Sequence, residues 1–379
     1  MYVYQKSNRY FVQTADDIKD IAEDELSSLG ASEIKQAFRG LYMTAAPEVM
    51  YAINFRARLI NRVLAPLISF TCHTDRILYN RAVKIEWADF LNCAQTFAVF
   101  ATVSHSAIKH SKFASLRLKD AIVDYFKNKR GNRPSVDTRN PDVFFNLHIE
   151  NNRATISVDT SGGSLHRRGY RKSKVDAPMI ETLAAAVIRL SEWTGEGPLY
   201  DPFCGSGTLL CEAYLAASDT PAAILRNKFG FEYLPDFKPE IWKSIREKAR
   251  LNIKTIPGGL IMGSDISREA VNVAIRNCSF IDKNRVIDVK KKDIFEIDRI
   301  ENATIICNPP YGIRLGIEKD LSAFYKQFGD FLKKRCQGSN AFIYFGEREH
   351  IKHIGLRPSW KKQLSNGGLD GRLVKYSLY

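Results

Sequence analysis

The 379-residue sequence has no apolar run approaching the about 20 residues that a membrane-spanning helix requires, so a membrane partner is not expected. Its N-terminus, MYVYQKSNRYFVQTADDIKD, lacks the charged start, apolar core and small-residue cleavage site of a secretory signal, which points to the cytoplasm. Cysteines are few and odd in number. The seven include no C-x-x-C pair and no His at metal-binding spacing, arguing against a disulfide framework and a zinc site. No internal repeat or low-complexity tract is present. Acidic residues are in deficit, 42 Asp and Glu against 56 Lys and Arg, for a formal charge of +14. Such an excess attracts polyanions, nucleic acid first among them; a generally basic surface explains it about equally well.

What is present suits a soluble protein of two or three domains, with 45% hydrophobic and 26% charged residues. Residues 1–70 read as a βαβα-type unit: strand Tyr10 to Thr14, helix Asp17 to Leu29, strand Ile34 to Thr44, and a long helix from Pro47. Residues 71–162 read as a second unit, with a strand at Phe97 to Val103, a helix at Ser115 to Lys127, and strands at Phe144 to Ile149 and Thr155 to Val158. This unit is the basic one. Between Lys109 and Arg139 stand nine Lys or Arg, namely Lys109, Lys112, Arg117, Lys119, Lys127, Lys129, Arg130, Arg133 and Arg139, against three Asp. Such a surface suits phosphate about twice as well as it suits a merely solvated helix face. Residues 163–180 read as a linker, in which Arg167, Arg168 and Arg171 beside Tyr170 would suit an RNA groove. Residues 181–379 alternate strands and helices and end in a hairpin, Lys361 to Leu364 with Leu373 to Leu378. That pattern implies an α/β fold with a mostly parallel sheet and an antiparallel end.

Three motifs carry chemistry. The first, LYDPFCGSGTLL, is a strand ending in Asp201, followed by Phe203, Cys204, Gly205, Ser206, Gly207 and Thr208 at the start of a helix. Glycines there let backbone N–H groups approach a ligand. The loop has neither the Lys of a phosphate loop nor the third glycine of a dinucleotide loop, so nucleotide phosphates are disfavoured. Next come GSDIS, placing Asp265 and Ile266 after a second strand, and KKDIFEI, placing Asp293 and Ile294 after a third. Each aspartate alone reads equally well as a helix cap. Together they converge on the carboxyl edge of one sheet, with Asp265 suited to ribose hydroxyls and Asp293 to an adenine amine.

The most specific motif is Asn308-Pro309-Pro310-Tyr311-Gly312. An exocyclic base amine is a weak nucleophile, its lone pair delocalised into the ring. The Asn308 side-chain oxygen and the Pro309 carbonyl can hold its two hydrogens and aim the nitrogen at an electrophilic methyl, and Tyr311 can stack on the base. The double proline stiffens the loop, and a rigid turn is the competing explanation. No strong general base is needed, because the nitrogen becomes acidic only once alkylated.

DPFCGSGT, GSDIS, KKDIF and NPPYG, in that order, resemble the class I methyltransferases that act on base amines. DTSGGSLHRRGYR, APMIETLAAAVIRLS, RNKFGFEYLPDF and NPPYGIRLG are similar to the RlmL-type family of 23S rRNA guanine-N2 methyltransferases. The resemblance covers nearly the whole chain, strongly from Asp159 to Leu315 and loosely before Tyr79. It implies a Rossmann-like class I methyltransferase sheet with an antiparallel C-terminal hairpin, preceded by a ferredoxin-like unit and a THUMP RNA-binding domain. It implies S-adenosyl-L-methionine as cofactor and RNA, 23S rRNA or its ribosomal precursor, as partner. In the family, Asp201 to Thr208 hold the cofactor's methionine part, Asp265 the ribose, and Asp293 with Ile294 the adenine, with Ile266 a further cofactor-binding candidate, while Asn308 and Pro309 meet the guanine amine. Ala177 matches a further cofactor-contact region. Residues 216–256 correspond to an insertion the family also carries. A second, fused methyltransferase domain known in the family is expected to be absent.

Three alternatives stay open on sequence: a tRNA guanine-N2 methyltransferase, a DNA adenine-N6 methyltransferase, and a non-catalytic RNA-binding ribosome-assembly factor. The basic N-terminal half disfavours the DNA enzyme; the intact motifs disfavour the adapter.

Overall fold

The computed structural model describes residues 1–172, 179–310, 321–366 and 370–379, which divide into two compact units. The first unit holds residues 1–165 together with 226–247; the second holds 166–225 and 248–379.

In the first unit, helices α1 (Val3–Ser7), α2 (Lys19–Ser28), α3 (Pro47–Arg56), α4 (Asp75–Ala82) and α5 (Ser111–Arg130) accompany eight strands. These are β1 (Arg9–Gln13), β2 (Ser32–Ala37), β3 (Gly40–Thr44), β4 (Arg62–Thr71), β5 (Thr96–Ser104), β6 (Ser135–Val136), β7 (Val143–Glu150) and β8 (Arg153–Asp159), in the order β2-β3-β1-β4-β8-β7-β5-β6. Alternation sets the core face: Val143, Phe145, Leu147 and Ile149 of β7 are buried, as are Ala154, Ile156 and Val158 of β8. Helix α5 answers with Ala114, Leu118, Ala121, Ile122 and Tyr125 at helical spacing. Two expectations need correction. The strand expected from Ile34 to Thr44 is a hairpin that turns at Phe38 and Arg39, where Arg39 has φ 54°. The stretch after α3 contains the ten-residue strand β4, hidden from pattern reading by Pro66, where the pairing with β8 shifts register.

Segment 226–247 contributes an aromatic cluster to this unit. Phe231 stacks on Tyr51 of α3 at 4.6 Å, and Trp242 meets Phe55 edge-on at 5.2 Å and Phe229 at 5.3 Å. Arg226 donates to the carbonyls of Ser161 and Ser164 at 2.7 and 2.8 Å.

The second unit has helices α6 (Glu181–Leu190), α7 (Thr208–Ala217), α9 (Arg268–Cys278) and α10 (Leu321–Arg335), with α8 (Pro239–Leu251) running in from the first. Its strands are β9 (Leu199–Asp201), β10 (Ile261–Asp265), β11 (Asp288–Lys291), β12 (Thr304–Cys307), β13 (Asn340–Phe345), β14 (Trp360–Gln363) and β15 (Arg372–Ser377). Their order is β11-β10-β9-β12-β13-β15-β14, parallel from β11 to β13, with β15 antiparallel to both its neighbours. The α/β sheet with its antiparallel end is therefore as the sequence suggested. Ile305, Ile306 and Cys307 of β12, and Ala341 to Phe345 of β13, are buried throughout, as strands covered on both faces require. The stretch expected to be a linker is packed instead: Leu165, Arg168 and Tyr170 are buried.

Gly230 lies against β8, where an added Cβ would stand 1.8 Å from the Asp159 carbonyl oxygen. Gly230→Ala is expected to destabilise the first unit by about 1–3 kcal/mol, the usual range for overpacking. Urea unfolding followed by tryptophan fluorescence checks this, and a midpoint equal to the parent's would contradict the packing of this segment.

Candidate active site

The four strands β11, β10, β9 and β12 lie side by side and parallel, so the loops leaving them share the carboxyl edge of the sheet. Asp201 closes β9, Asp265 closes β10, Asp293 follows β11 and Asn308 follows β12. The motifs are joined by hydrogen bonds. Gly205 N–H donates to Asp265 Oδ2 at 3.0 Å, Cys204 N–H to the Ser264 carbonyl at 2.9 Å, and Lys292 N–H to the Asp265 carbonyl at 3.1 Å. Asp265 Oδ1 also accepts from Ser267 N–H at 2.9 Å. Both its oxygens are thus held in place while the residue stays partly exposed, and each keeps a second lone pair for a ligand hydroxyl. Asp293 caps a helical turn, accepting from Phe295 N–H at 3.0 Å.

The glycine-rich loop is shaped for a ligand. Gly207 caps the start of α7 at φ 79°, and a Cβ there would press on Ala274 at 3.2 Å, so a side chain is barred by conformation and by packing. At Gly205, φ 52°, a Cβ would meet no described residue nearer than the Phe203 carbonyl oxygen at 4.0 Å. Ser206 and Thr208 hydroxyls lie 3.3 Å apart, and the Ser206 carbonyl accepts from Asn277 at 3.0 Å. Ile266 is 65% exposed beside Asp265, an apolar side chain at the edge of the sheet. Phe203, Cys204 and Ile294 sit differently. The Phe203 ring packs on Phe328 and Phe324 at 5.1 and 5.7 Å, Cys204 is buried, and Ile294 belongs to the core, so these residues can offer a ligand their backbone rather than their side chains.

Asn308 Oδ1 is buried and accepts no hydrogen bond among the described residues. A buried acceptor without a donor costs about 1–3 kcal/mol, which a donating ligand recovers. Pro309 is buried, and the Pro310 carbonyl is anchored by Tyr325 of α10, whose hydroxyl donates to it at 3.1 Å. The Tyr325 ring is in turn stacked on His350 at 4.8 Å. Nothing in the sequence marks Tyr325 for this role. Tyr311 and Ala177 lie outside the described residues.

Of the basic residues, Lys109, Lys112, Lys129, Arg130 and Arg133 are exposed in the first unit and Arg167 in the second. Arg117 and Lys119 are half-buried; Arg117 lies 3.4 Å from Asp75 and over the Tyr79 ring, while Lys119 pairs with Asp120 at 2.6 Å. Lys129 pairs with Glu86 at 2.5 Å. Two expectations fail on burial. Arg168 is 2% exposed and lies 3.5 Å from Glu212, which also accepts from Tyr170 at 2.7 Å, so neither Arg168 nor Tyr170 can line an RNA groove. Arg171 is turned inward, donating to Met179 O and Thr208 Oγ1.

Burial pushes Asp201 up to about 8, against the hydrogen bond from Phe203 N–H that favours its charge. A carboxyl raised above its unfolded value binds a proton more tightly when folded, so it costs stability as pH rises from about 4 to 8. The Asp201→Asn protein without cofactor should lose less melting temperature than the parent between pH 5 and pH 8. Equal losses would show that Asp201 titrates normally.

A seven-stranded sheet of this order, with a glycine-rich loop and acidic residues at successive strand ends, defines a class I S-adenosylmethionine-dependent methyltransferase. The comparisons with known proteins agree. Residues 168–375 match the RMKL-like methyltransferase domain and residues 73–159 the THUMP domain. A Synechocystis protein named for RNA methyltransferase activity is 38% identical over 98% of this chain and 97% of its own length. The ribosomal RNA large subunit methyltransferase K/L of Syntrophotalea carbinolica is 34% identical over 98% of this chain, which spans 53% of that protein. A solved methyltransferase structure complexed with SAH superposes with a TM-score of 0.85, at 24% identity and 98% coverage of both chains, a likeness of fold. The chain belongs to the RMKL-like methyltransferase family. Among the described residues no helix is long and apolar enough to cross a membrane.

Proposed function

We propose that this chain methylates the exocyclic N2 of a guanine in 23S rRNA, acting in the cytoplasm on the RNA or its ribosomal precursor. The rRNA target is supported by the K/L relatives, whose shared segment covers nearly all of this chain. The observation that carries the chemistry is the buried Asn308 oxygen after β12, which has no donor among the described residues. S-adenosylmethionine, when bound, supplies a methyl group made electrophilic by its sulfonium. Asn308 Oδ1 accepts one hydrogen of the base amine and the Pro309 carbonyl the other, which withdraws the nitrogen lone pair from the ring and aims it at that methyl. Tyr325, through the Pro310 carbonyl, keeps the acceptors from drifting. The alkylated nitrogen sheds its proton to water, so positioning and electrostatics carry the catalysis. Asp265 takes the ribose hydroxyls, Asp293 the adenine amine, and the loop 201–208 the methionine end.

Tritiated S-adenosylmethionine, offered with rRNA and tRNA from a strain lacking the protein, tests the substrate. Label should enter 23S rRNA as N2-methylguanosine, and Asn308→Ala should cut it by about 100-fold, the scale of losing one preorganised hydrogen-bonding group, with cofactor affinity intact. Label in tRNA alone would move the reading to a tRNA enzyme; undiminished turnover by the variant would refute the clamp.

Lys109, Lys112, Arg130 and Arg133, exposed and without an ion pair among the described residues, are our candidates for phosphate binding, with Arg167. The Lys109→Glu, Lys112→Glu double variant should bind RNA more weakly, and its salt slope should fall by about one unit for each phosphate left without a lysine. An unchanged slope would remove these lysines from the interface. Point variants are preferable to deleting residues 1–160, since that deletion strips the cover from Phe229, Phe231 and Trp242.

A further inference from the structure

The loop after β12 is held by side chains from outside it. Tyr325 of α10 donates from its hydroxyl to the Pro310 carbonyl at 3.1 Å, directly beyond the Asn308 and Pro309 acceptors. A phenol hydroxyl lies in the line of its ring, so this hold is only as firm as the packing that fixes the ring. Tyr325 is 0% exposed. Phe345, the last residue of β13, tilts against its ring at 5.6 Å, and Phe324 meets it edge-on at 5.4 Å. His350 covers one face, with ring centres 4.8 Å apart and only 15° between the planes.

His350 belongs to the helical turn Arg348–Ile354, which follows β13, the strand paired in parallel with β12. The turn and the loop after β12 therefore leave from the same edge of the sheet. Backbone contact seats the turn on α10: an added Cβ at Gly329 would stand 1.8 Å from the Ile354 carbonyl oxygen, so glycine alone admits the approach. Gly329 is four residues after Tyr325, and Ile354 is four after His350, so the contact that locks the turn also sets the stack. The His350 side chain is 13% exposed, yet neither ring nitrogen makes a hydrogen bond among the described residues. Its Nε2 stands 3.2 Å from Glu347 Oε2, an ion pair only when the imidazole is protonated. What His350 gives its surroundings is a flat face laid on Tyr325.

We propose that His350 is a positioning residue for methyl transfer. Its ring keeps Tyr325 in the orientation from which the hydroxyl reaches the Pro310 carbonyl, and that bond sets Asn308 Oδ1 and the Pro309 carbonyl before the base arrives. This inference rests on the reading of Asn308 and Pro309 as the clamp for the base amine.

Steady-state methyl transfer by the full chain, on whichever RNA the parent protein labels, tests the brace together with S-adenosylhomocysteine affinity by calorimetry. His350→Ala and Tyr325→Phe should each lower kcat about tenfold, the scale of one hydrogen bond, with the RNA KM and the S-adenosylhomocysteine affinity unchanged. The double variant should be no slower than the slower single, because both changes remove the same hold. His350→Phe keeps a flat ring and should hold kcat within about twofold of the parent. His350→Leu, which fills the space without a flat face, should match His350→Ala and replaces it if that variant folds poorly. Losses that multiply in the double variant, a parental kcat in His350→Leu, a slow His350→Phe, or a matching loss of S-adenosylhomocysteine affinity would overturn the brace. Asn308→Ala keeps two failures apart. If it leaves kcat intact, the clamp falls and takes the brace with it; if it slows transfer while the His350 variants do not, only the brace falls.

Discussion

Parallel pairing of β9 with β10 on one side and β12 on the other compels the loops after these strands to leave from one edge of the sheet. The chemistry follows from that constraint. Asp201, Asp265, Asp293 and Asn308 are as much as 107 positions apart in the chain, yet each occupies the position just at or after a strand end. The hydrogen bond from Gly205 N–H to Asp265 then couples the glycine-rich loop to the end of the neighbouring strand.

This is also why so much of the site is legible in the sequence. Loops at strand ends are written in glycine, proline and short acids, whose backbone consequences are local: Gly207 must turn at positive φ, and two prolines must stiffen the loop after β12. The apolar runs of β12 and β13 are legible by their shortness, since a strand buried on both faces reads as a brief continuous apolar stretch too short for a helix. Less is legible where the outcome depends on distant partners. Arg168 and Arg171 are basic in sequence, but their partners, Glu212 and Thr208, stand 44 and 37 positions downstream. Phe203 and Ile294 sit inside the motifs while their rings and branches serve the core. The β2–β3 hairpin escapes notice because its turn, Phe38-Arg39, lacks the Asn-Gly or Asp-Gly signal of tight hairpins.

Charge divides along the same lines. The positive excess is real, but its members do different things: Lys119 and Lys129 are neutralised by Asp120 and Glu86, Arg62 is paired with Asp159 and stacked on Phe100 at 4.4 Å, and Arg168 supports α7 from within. Net charge therefore points to the right class of partner, and burial decides which residues are available to meet it.

On the function we propose, methyl transfer depends most on the Asn308 oxygen, which is buried and has no donor among the described residues. A crystal structure with S-adenosylhomocysteine and a guanine nucleoside bound would test this directly. The guanine N2 should stand within about 3 Å of Asn308 Oδ1, with the sulfur facing that nitrogen across the gap a methyl group would fill. Asn308 Oδ1 satisfied by a protein donor, or the base seated away from the loop after β12, would contradict it.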